Sequence, residues 1–488
     1  MKILTGTQIK EADKYTIDNE PISSIELMER ASQTIAEWIC ANIDRKIPLV
    51  FIIGKGNNGG DGLAVARILY HYGYYCSVYL AYEKEFLSEE CSYNLECLPH
   101  DIPIMNDILI VNQNALIVDA LLGTGVKGKV NDHVKSIISQ INSLPNKIIS
   151  IDLPSGMISE FNNSNQTIIK ADITLTLEFP KLAMLLPEAG SFCGEINILP
   201  IGLNKEYFDH SPSDYYYINQ CFIDKIKLPR DKYGHKGTFG HALLICGSKG
   251  MIGAAVLSTG AALRSGCGLV TTHVPESERL AVQINCPSAI LSLDTGSYFS
   301  HLPDQLSKYT SIGIGPGLGQ NSKTIDAFKK LLESVDKPVV IDADALNIIA
   351  SNDRLIRSIP KNSILTPHIG ELKRLIGEWK DEEHKLSSVR KLSSDLQSII
   401  IVKGAHTMIC CPNGKYYFNS TGNSGMAKGG SGDVLTGYIA GLLSRGYSSE
   451  NAAILGVYMH GLAGDKAAER CGKEAMNSHD IIDFLKGI

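Results

Sequence analysis

The chain has 488 residues, with 46 Lys and Arg against 52 Asp and Glu, giving a formal net charge of −6. This length exceeds what one hydrophobic core usually serves, so we expect two domains. Hydrophobic residues make up 44% and charged residues 20%, which excludes an intrinsically disordered chain. The acidic balance argues against a general nucleic-acid binder or a basic membrane-surface protein, so we expect no nucleic-acid and no membrane partner.

The sequence also lacks the usual membrane and secretory signals. No apolar run approaches the roughly 18 residues of a membrane span. The opening residues, MKILTGTQIKEADKYT, lack the apolar core and cleavage site of a secretory signal. The 12 cysteines include no CxxC pair, which is typical of reduced thiols in the cytosol. We therefore expect a cytoplasmic protein.

Short apolar runs alternate with helical patterns in the first part of the chain. Three runs end in Gly, Asp or Ser, namely LVFIIG (49–54), ALIVDALLG (115–123) and KIISIDLPSG (147–156). Continuous apolar runs of this kind predict strands of a parallel sheet covered on both faces. Ser23-x-x-Glu26 is a capping-box pattern and predicts the start of a helix that packs on this sheet.

The alternating pattern breaks down between about residues 203 and 230, where the chain is polar and aromatic without a sustained period. We place a domain boundary there and expect domains at 1–215 and 228–488. A second series of apolar runs then follows, at 241–247, 269–275, 311–319, 338–346, 363–367 and 398–406. The whole pattern predicts two tandem α/β domains, each with a mostly parallel sheet.

A glycine-rich loop, GKGNNGGDG, follows the first apolar strand and opens a helix. Strand, glycine loop and helix together form a geometry that binds phosphate through free N–H groups and the helix dipole. Gly54, Gly56 and Gly59 match G-x-G-x-x-G, and Glu83 stands where a nicotinamide-type site would keep its ribose acid. A dehydrogenase-like domain therefore remains an open alternative, as does a tight turn without a ligand.

Polar side chains in this loop favour a different interpretation. Asn57, Asn58 and Asp61 supply oxygens that can hold a ribose or a cation. Asp119 and Asp152 stand at the ends of two further predicted strands. The carboxyl ends of strands in an open α/β sheet border the ligand crevice, so we expect one site there.

The motifs TGTQIKEADKYTI, GNNGGDG, VDALLGTG and SIDLPSG, in this order, resemble the NAD(P)H-hydrate epimerase domain over roughly residues 1–215. The resemblance implies a Rossmann-like three-layer α/β fold, a K⁺ ion held by Asn58, Asp119 and Ser155, and Asp152 as a catalytic residue at the nicotinamide ring. The residues it implies for binding the hydrated dinucleotide are Asn57, Asn58, Gly59, Gly60, Asp61, Gly123, Thr124, Gly125, Val126, Lys127, Gly128 and Lys129.

A second glycine-rich segment, GGSGDVL (429–435), precedes an apolar helical run. Consecutive glycines before a helix form a backbone anion hole, and Asp433 just inside the helix can accept a proton from a hydroxyl above it. Phosphoryl transfer to an alcohol needs this arrangement. A helix-capping Asp after a glycine linker is the structural alternative. A Walker-type phosphate loop is absent from the sequence.

Three other strand ends carry polar motifs, namely GPGLG (315–319), TPHIGE (366–371) and KGAHT (403–407). The position of His368 at a strand end before a helix is compatible with a ligand contact or with packing. Asp342 and Asn347 could serve a metal–phosphate site or a structural role.

The motifs HKGTFGHALLICGS, GAAVLSTGAALRSGCGLV, GIGPGLG, DADALN, LTPHIGE, VKGAHT and GGSGDVL resemble the ribokinase-like, ADP-dependent NAD(P)H-hydrate dehydratase domain over about 228–488. The resemblance implies ADP as co-substrate, Mg²⁺ on its phosphates, and Asp433 as the catalytic base. The adenine-nucleotide contacts it implies are Lys403, Gly404, Ala405, His406, Thr407 and Gly432. The hydrated-dinucleotide contacts are Ala254, Gly317, His368 and Asp433.

Together the two resemblances imply a bifunctional enzyme that repairs hydrated NADH and NADPH, and we expect a homo-oligomer. One alternative is a dehydrogenase-like dinucleotide domain fused to a ribokinase-like small-molecule kinase. Another is a dinucleotide-sensing module tethered to an enzyme.

Overall fold

The computed structural model describes residues 1–486. The chain divides into two compact units. The amino-terminal unit comprises Lys2–Tyr215 with Asp381–Glu383, and the carboxy-terminal unit comprises Met1, Tyr216–Lys380 and the chain from His384 onward. Residues 216–227, which the sequence pattern leaves between the two expected domains, thus lie in the carboxy-terminal unit. Within the described residues, no helix is both long and apolar enough to span a membrane.

The amino-terminal unit is built on one parallel sheet. Its strands are β1 (Leu49–Ile53), β2 (Cys76–Leu80), β3 (Ile104–Met105), β4 (Leu116–Ala120), β5 (Ile148–Ile151), β6 (Ile173–Leu177) and β7 (Glu195–Leu199). Its helices are α1 (Gly6–Asn19), α2 (Ser24–Asn42), α3 (Asn57–His71), α4 (Glu89–Glu96), α5 (Asp132–Ser143), α6 (Pro187–Gly190) and α7 (Lys205–His210). In the described residues the strand order is β3-β2-β1-β4-β5-β6-β7.

Apolar side chains of β1 alternate between two cores. Phe51 packs with residues of α2 and α3 on one face of the sheet, whereas Ile52 packs with residues of α5 on the other. The unit is therefore a three-layer α/β structure, as predicted. The predicted capping box is also confirmed, because Ser23 Oγ accepts from Glu26 N and the Glu26 carboxylate accepts from Ser23 N at the start of α2.

The strand order of this sheet reverses between β1 and β4, which are neighbours although β2 and β3 separate them in sequence. At such a switch point the loops after the two strands diverge to opposite sides and leave a crevice. The glycine-rich loop after β1 and the segment after β4 border this crevice.

The carboxy-terminal unit contains a larger, mixed sheet. Its strands are β8 (Tyr215–Tyr217), β9 (His241–Ile245), β10 (Leu269–Pro275), β11 (Ile290–Asp294), β12 (Ser311–Ile314), β13 (Val339–Ile341), β14 (Ile364–Leu365), β15 (Ile399–Val402), β16 (Met408–Cys410) and β17 (Tyr416–Phe418). Their order within the described chain is β11-β10-β9-β12-β13-β14-β15-β16-β17-β8. The pairs from β11 to β15 are parallel, and β16 is antiparallel to both its neighbours.

The helices of the carboxy-terminal unit are α8 (Gln220–Ile226), α9 (Ile252–Arg264), α10 (Arg279–Asn285), α11 (Ser322–Ser334), α12 (Ala343–Ala350), α13 (Asp353–Ile356), α14 (Ile369–Ile376), α15 (Glu382–Leu396), α16 (Ser431–Ser444), α17 (Ser449–Cys471) and α18 (Ser478–Phe484). The helix that follows GGSGD, α16, is buried along most of its length. A Cβ on Gly437 would lie 2.0 Å from the carbonyl oxygen of Ser258. Glycine therefore lets α16 cross α9 backbone to backbone.

Two candidate active sites

The two loops at the switch point of the amino-terminal unit touch through their backbones. A Cβ on Gly54 would lie 1.8 Å from the carbonyl oxygen of Leu121, and one on Gly59 would lie 2.1 Å from the carbonyl oxygen of Gly54. Helix α3 begins at Asn57, whose side chain is exposed, while Gly59 and Gly60 are buried in its first turn. Helix α3 thus begins at the crevice, where the positive end of the helix dipole would stabilise an anion.

Asp119, at the end of β4, is fully buried and holds the neighbouring loop in place. Its carboxylate accepts four hydrogen bonds, from Ser150 Oγ at 2.8 Å, Ser155 N at 2.9 Å, Ser155 Oγ at 2.5 Å and Leu121 N at 3.2 Å. Burial raises the pKa of Asp119, although these hydrogen bonds oppose the increase. Since Ser155 Oγ also accepts from Leu122 N at 2.8 Å, Asp119 and Ser155 fasten the segment that leads to Gly123.

Asn58, in the first turn of α3, contacts the same segment. Its side chain is 9% exposed, and its amide nitrogen has no hydrogen-bond partner among the described residues. A Cβ on Gly123 would lie 3.4 Å from Asn58 Oδ1. The three predicted K⁺ ligands, Asn58, Asp119 and Ser155, therefore converge on residues 121–123. Their side-chain oxygens suit a hard monovalent cation, whereas the unpartnered amide nitrogen of Asn58 is a donor and would not contact the ion.

Asp152 stands at the centre of a cluster of charged side chains. Its backbone adopts a left-handed conformation (φ 65°), and its carboxylate forms an ion pair with Lys181. Burial, and then the negative charge of Asp152, raise the pKa of Asp13 to about 6, while Lys181 and Lys10 oppose the increase. Burial raises the pKa of Asp61 well above its usual value, and Asp152 and Asp13 add to this effect. The structure therefore groups Asp61 with Asp152, as the sequence predicts.

Sequence patterns alone did not identify Asp13, Lys10 or Lys181 as members of this site. Lys181 interrupts the apolar segment FPKLAM, and a lysine in such a segment is the one sequence signal that could have identified it. Asp13 and Lys10 share helix α1 with many other polar residues. Lys10 Nζ would lie 3.8 Å from a Cβ on Gly125, so its ammonium reaches the predicted phosphate segment.

The predicted phosphate segment, residues 123–129, follows β4. Thr124 and Val126 are half-buried, whereas Gly125, Lys127, Gly128 and Lys129 are exposed. The segment thus carries two exposed ammonium groups, those of Lys127 and Lys129.

In the carboxy-terminal unit, Asp433 is the third residue of α16, directly after Gly432 and a left-handed Gly430 (φ 91°). Burial, and then the nearby Asp342, raise the pKa of Asp433 to about 6, while Lys403 opposes the increase. A base at a helix N-terminus with this pKa is ionised at neutral pH and accepts a proton from a hydroxyl within reach.

A partly buried ion pair with Asp342 holds Lys403 beside α16. Lys403 Nζ donates to Asp342 Oδ1 at 2.7 Å, and Thr436 Oγ1 donates to Asp342 Oδ2 at 2.8 Å. A Cβ on Gly432 would lie 3.3 Å from Lys403 Nζ. The structure thus brings Lys403, Gly432 and Asp433 together around the start of α16, where an anionic phosphate would meet both an ammonium and free N–H groups.

Two predicted dinucleotide contacts lie together, and a third borders Lys403. Gly317 adopts φ 63°, and a Cβ there would lie 2.9 Å from the Cβ of Ala254. His368 forms a parallel bridge with Lys403. The Nδ1 atom of His368 accepts from Gly370 N at 2.9 Å, so the imidazole caps α14 while its side chain remains 55% exposed. His368 therefore combines the structural role and the exposure that a ligand contact requires.

The remaining predicted nucleotide contacts form the turn between β15 and β16. Gly404 and Ala405 are exposed, and Thr407 Oγ1 donates to the carbonyl oxygen of Gly404 at 3.0 Å. His406 faces inward, with its ring nitrogen 3.1 Å from the carbonyl oxygen of Asn419, and burial lowers its pKa. The turn therefore exposes backbone groups that a ligand can contact, while the His406 ring fixes the turn to Asn419.

Asp342 and Asn347, the two side chains considered for a metal–phosphate site, have protein partners instead. Asp342 accepts from Lys403 and Thr436, and Asn347 Oδ1 accepts from Arg374 at 2.8 Å. Within residues 1–486, no group of three or more His, Cys, Asp or Glu side chains is arranged to hold a metal ion. These residues do not form an all-protein magnesium site.

Comparison with known proteins matches both units. The family model for NAD(P)H-hydrate dehydratase matches residues 242–486, and that for the YjeF-related protein N-terminus matches residues 24–183. The bifunctional NAD(P)H-hydrate repair enzyme of Moorella thermoacetica is 35% identical, covering 99% of this chain and 96% of the relative. The Escherichia coli enzyme of the same name is 32% identical, covering 98% and 92%.

Solved structures also resemble this chain. An ADP/ATP-dependent NAD(P)H-hydrate dehydratase from Bacillus subtilis, crystallised with ATP and Mg²⁺, has 32% identity and a TM-score of 0.50, covering 55% of this chain and 96% of its own. A ribokinase-like superfamily protein from Enterococcus faecalis has 26% identity and a TM-score of 0.51, covering 56% and 95%. The predicted ribokinase-like fold is thereby confirmed. The chain belongs to the family of bifunctional NAD(P)H-hydrate repair enzymes.

Proposed function

We propose that the amino-terminal unit interconverts the R and S epimers of hydrated NADH and NADPH, and that the carboxy-terminal unit dehydrates the S epimer at the expense of ADP. Family membership over the whole chain supports both activities. The observation that carries the proposal is Asp433, a half-buried carboxylate at the glycine-rich start of α16 beside Lys403.

The chemistry explains why two activities belong on one chain. Reduced nicotinamide rings can add water across the C5=C6 bond, which gives two epimers at C6 that no longer donate hydride. A dehydratase that accepts one epimer leaves the other unrepaired. A fused epimerase converts the rejected epimer into the accepted one.

In the dehydratase, Asp433 accepts the proton of the C6 hydroxyl as its oxygen attacks the β-phosphorus of ADP. The ammonium of Lys403 and the N–H groups around Gly432 stabilise the transferring charge. AMP leaves, and the ring nitrogen lone pair then expels phosphate from C6 as the C5 proton departs. The products are NAD(P)H, AMP and phosphate, so the water oxygen ends in the phosphate.

The nucleotide phosphates themselves are the expected ligands of Mg²⁺, because Mg²⁺ keeps several waters and binds few protein groups in such sites. It supplies charge neutralisation on the phosphates. The buried carboxylate of Asp342 already accepts hydrogen bonds from Lys403 and Thr436. Asp342 therefore holds the Lys403 ammonium in a fixed place.

In the epimerase, Asp152 moves a proton near the nicotinamide ring. Epimerisation requires either loss and return of the C6 hydroxyl or opening of the ring, and both routes move protons near the ring nitrogen. Asn57, Gly59, Gly60 and the segment 123–129 bind the dinucleotide phosphates and ribose. Asn58, Asp119 and Ser155 would hold K⁺ next to residues 121–123, where its positive charge would help to fix the two loops.

We further propose a cytoplasmic homo-oligomer. Free thiols at all cysteines of the described chain suit a reducing compartment. Edge strand β11 and helix α10 expose large apolar side chains, Leu280, Ile284, Ile290 and Leu293, and such clusters favour association. Light scattering at several concentrations tests the oligomeric state.

The function is tested with acid-hydrated NADH as a mixture of epimers, plus ADP and Mg²⁺. We expect recovery of dihydronicotinamide absorbance from both epimers, with AMP and phosphate formed in equal amounts. Without ADP, the epimers should interconvert but not regain absorbance. Oxidation of NADH, or a stable phosphorylated product, would instead support the dehydrogenase–kinase alternative.

A further inference from the structure

Lys181 is a deeply buried charged side chain in contact with Asp152. It follows β6 in the apolar segment FPKLAM, and its side chain is 1% exposed. The ammonium donates to a carboxylate oxygen of Asp152, to Thr176 Oγ1 at 2.8 Å and to the carbonyl oxygen of Leu177 at 3.1 Å. All three protons of the ammonium therefore have acceptors, and the side chain has one well-defined position.

The contact involves only one of the two carboxylate oxygens of Asp152. Lys181 and the backbone N–H of Leu177 both bind Oδ1, while Oδ2 has no hydrogen bond to any described residue. The Asp152 side chain keeps 12% of its surface exposed. Oδ1 is thus fixed by hydrogen bonds to the protein, whereas Oδ2 is left without a protein partner in a side chain that is partly exposed.

The backbone of Asp152 adds a second constraint. Its left-handed conformation (φ 65°) is unfavourable for a residue with a side chain, and its N–H donates to the carbonyl oxygen of Leu175 at 2.8 Å. Surrounding contacts must hold such a conformation. The bonds to β6 on one side and to Lys181 on the other do so.

Other charges facing this pair are mostly negative. Asp13 on α1 and Asp61 on α3 both interact with Asp152, and Lys10 on α1 is the additional cation that faces Asp13. Without the Lys181 ammonium, three carboxylates would share a partly desolvated space, and a proton would be drawn to them.

We infer that Lys181 is a positioning residue of the epimerase site, which fixes Asp152 Oδ1 so that Oδ2 exchanges the substrate proton. The inference rests on the proposed role of Asp152 in epimerisation. Lys181 touches neither substrate nor cation, and it acts only through Asp152.

The test compares Lys181→Met, Asp152→Asn and the double variant in the full-length protein. Lys181→Met should lower kcat for epimerisation roughly 10- to 100-fold, because a misplaced catalytic group costs that much, with a smaller change in KM. Lys170→Met, which removes an exposed lysine of the same unit, is the matched control.

The double variant separates a role through Asp152 from a general structural role. It should be no slower than Asp152→Asn alone, and it should unfold at a higher temperature than either single variant, because neither charge is left unpaired. Dehydration of the S epimer should stay at the parent rate throughout. If Lys181→Met does not fold, Lys181→Gln takes its place in the same comparison.

The outcomes distinguish this inference from the proposed function. If Asp152→Asn epimerises at the parent rate, the proposed role of Asp152 is wrong. If Asp152→Asn is inactive but the Lys181 variant keeps the parent kcat, Lys181 has no positioning role. Additive losses in the double variant would also overturn the inference.

Discussion

Asp433 has the ionisation behaviour that a general base needs at neutral pH. Burial and the negative charge of Asp342 raise its pKa to about 6, against the opposing effect of Lys403. The carboxyl group is therefore mostly ionised at pH 7 and holds its proton in mildly acidic solution. This shift comes from the surroundings that the fold provides, and it leads to two predictions.

The first prediction is a pH dependence. The kcat/KM for dehydration should fall as the pH drops through about 6, since only ionised Asp433 accepts the substrate proton. Asp342→Asn removes the neighbouring negative charge, so the fall should move to lower pH. Initial rates between mildly acidic and neutral pH, under conditions where substrate and ADP are stable, measure this. An unchanged midpoint in Asp342→Asn would contradict the assignment.

The second prediction concerns the same carboxylate. Asp433→Asn should keep ADP binding and lose at least about a hundredfold in dehydration, the low end for a positioned general base. Calorimetric titration with ADP and single-turnover rates give the two quantities. Retained ADP binding shows that the carboxy-terminal unit is folded, and epimerisation by the same sample should equal the parent rate. Near-normal dehydration would show that another group accepts the proton.

Single residues differ in how well their sequence context reveals them. Asp152 follows β5 and precedes the turn LPSG, and Asp433 follows the glycines of GGSG at the start of α16. In both cases the local sequence pattern alone indicates a functional residue. Lys181 and Asp13 carry no such pattern, because their significance lies in the distant side chains they face. Only the tertiary structure brings α1 and the segment after β6 close to Asp152 at the end of β5.

At the scale of elements, the contact between α9 and α16 sets the position of Asp433. Gly437 lies against the backbone of Ser258, and Gly441 lies against Ser265, where a Cβ would fall 2.1 Å from the side-chain oxygen. Ser258 Oγ also donates to the carbonyl oxygen of Asp433 at 2.9 Å. The first turn of α16 is thus tied to α9, which carries Ala254.

A substitution at this crossing should therefore affect both stability and dehydration. Gly437→Ala places a methyl group against rigid backbone, so we expect a loss of about 1–3 kcal/mol in unfolding free energy and a slower dehydratase. Gly253→Ala is the matched control, because it adds the same methyl group to α9 where no atom lies within 4 Å. Denaturant titration of both variants measures the difference. Equal stabilities would show that the helices are not in close backbone contact.

At the scale of the whole molecule, residues 216–227 complete the core of the carboxy-terminal unit. Ile218 and Ile223 are fully buried in its main cluster, and Tyr216 stacks on Tyr417 with ring centroids 5.1 Å apart. The segment supplies the last part of edge strand β8 and helix α8. A polar and aromatic segment that looks like a linker is therefore structural.

This predicts different behaviour for two fragments of the chain. A fragment beginning at Tyr216 should fold and dehydrate one epimer only, after spontaneous epimerisation is subtracted. A fragment beginning at Leu228 loses two buried isoleucines and should be less stable by at least about 2 kcal/mol, since each buried Ile contributes roughly that much. Thermal unfolding and dehydration rates compare the two. Equal stabilities would place residues 216–227 outside the folded unit.

The sequence by itself determined the α/β class, the two successive mostly parallel sheets and the family, because apolar runs, glycine turns and capping residues are local signals of strands and helices. It also located the glycine loops and the acidic strand ends. The tertiary structure alone decided which side chains meet. The Lys403–Asp342–Thr436 chain, the Asp152–Lys181 pair and the place of residues 216–227 all join residues far apart in sequence. Charge pairing and burial depend on distance in space, and the sequence pattern does not contain that distance.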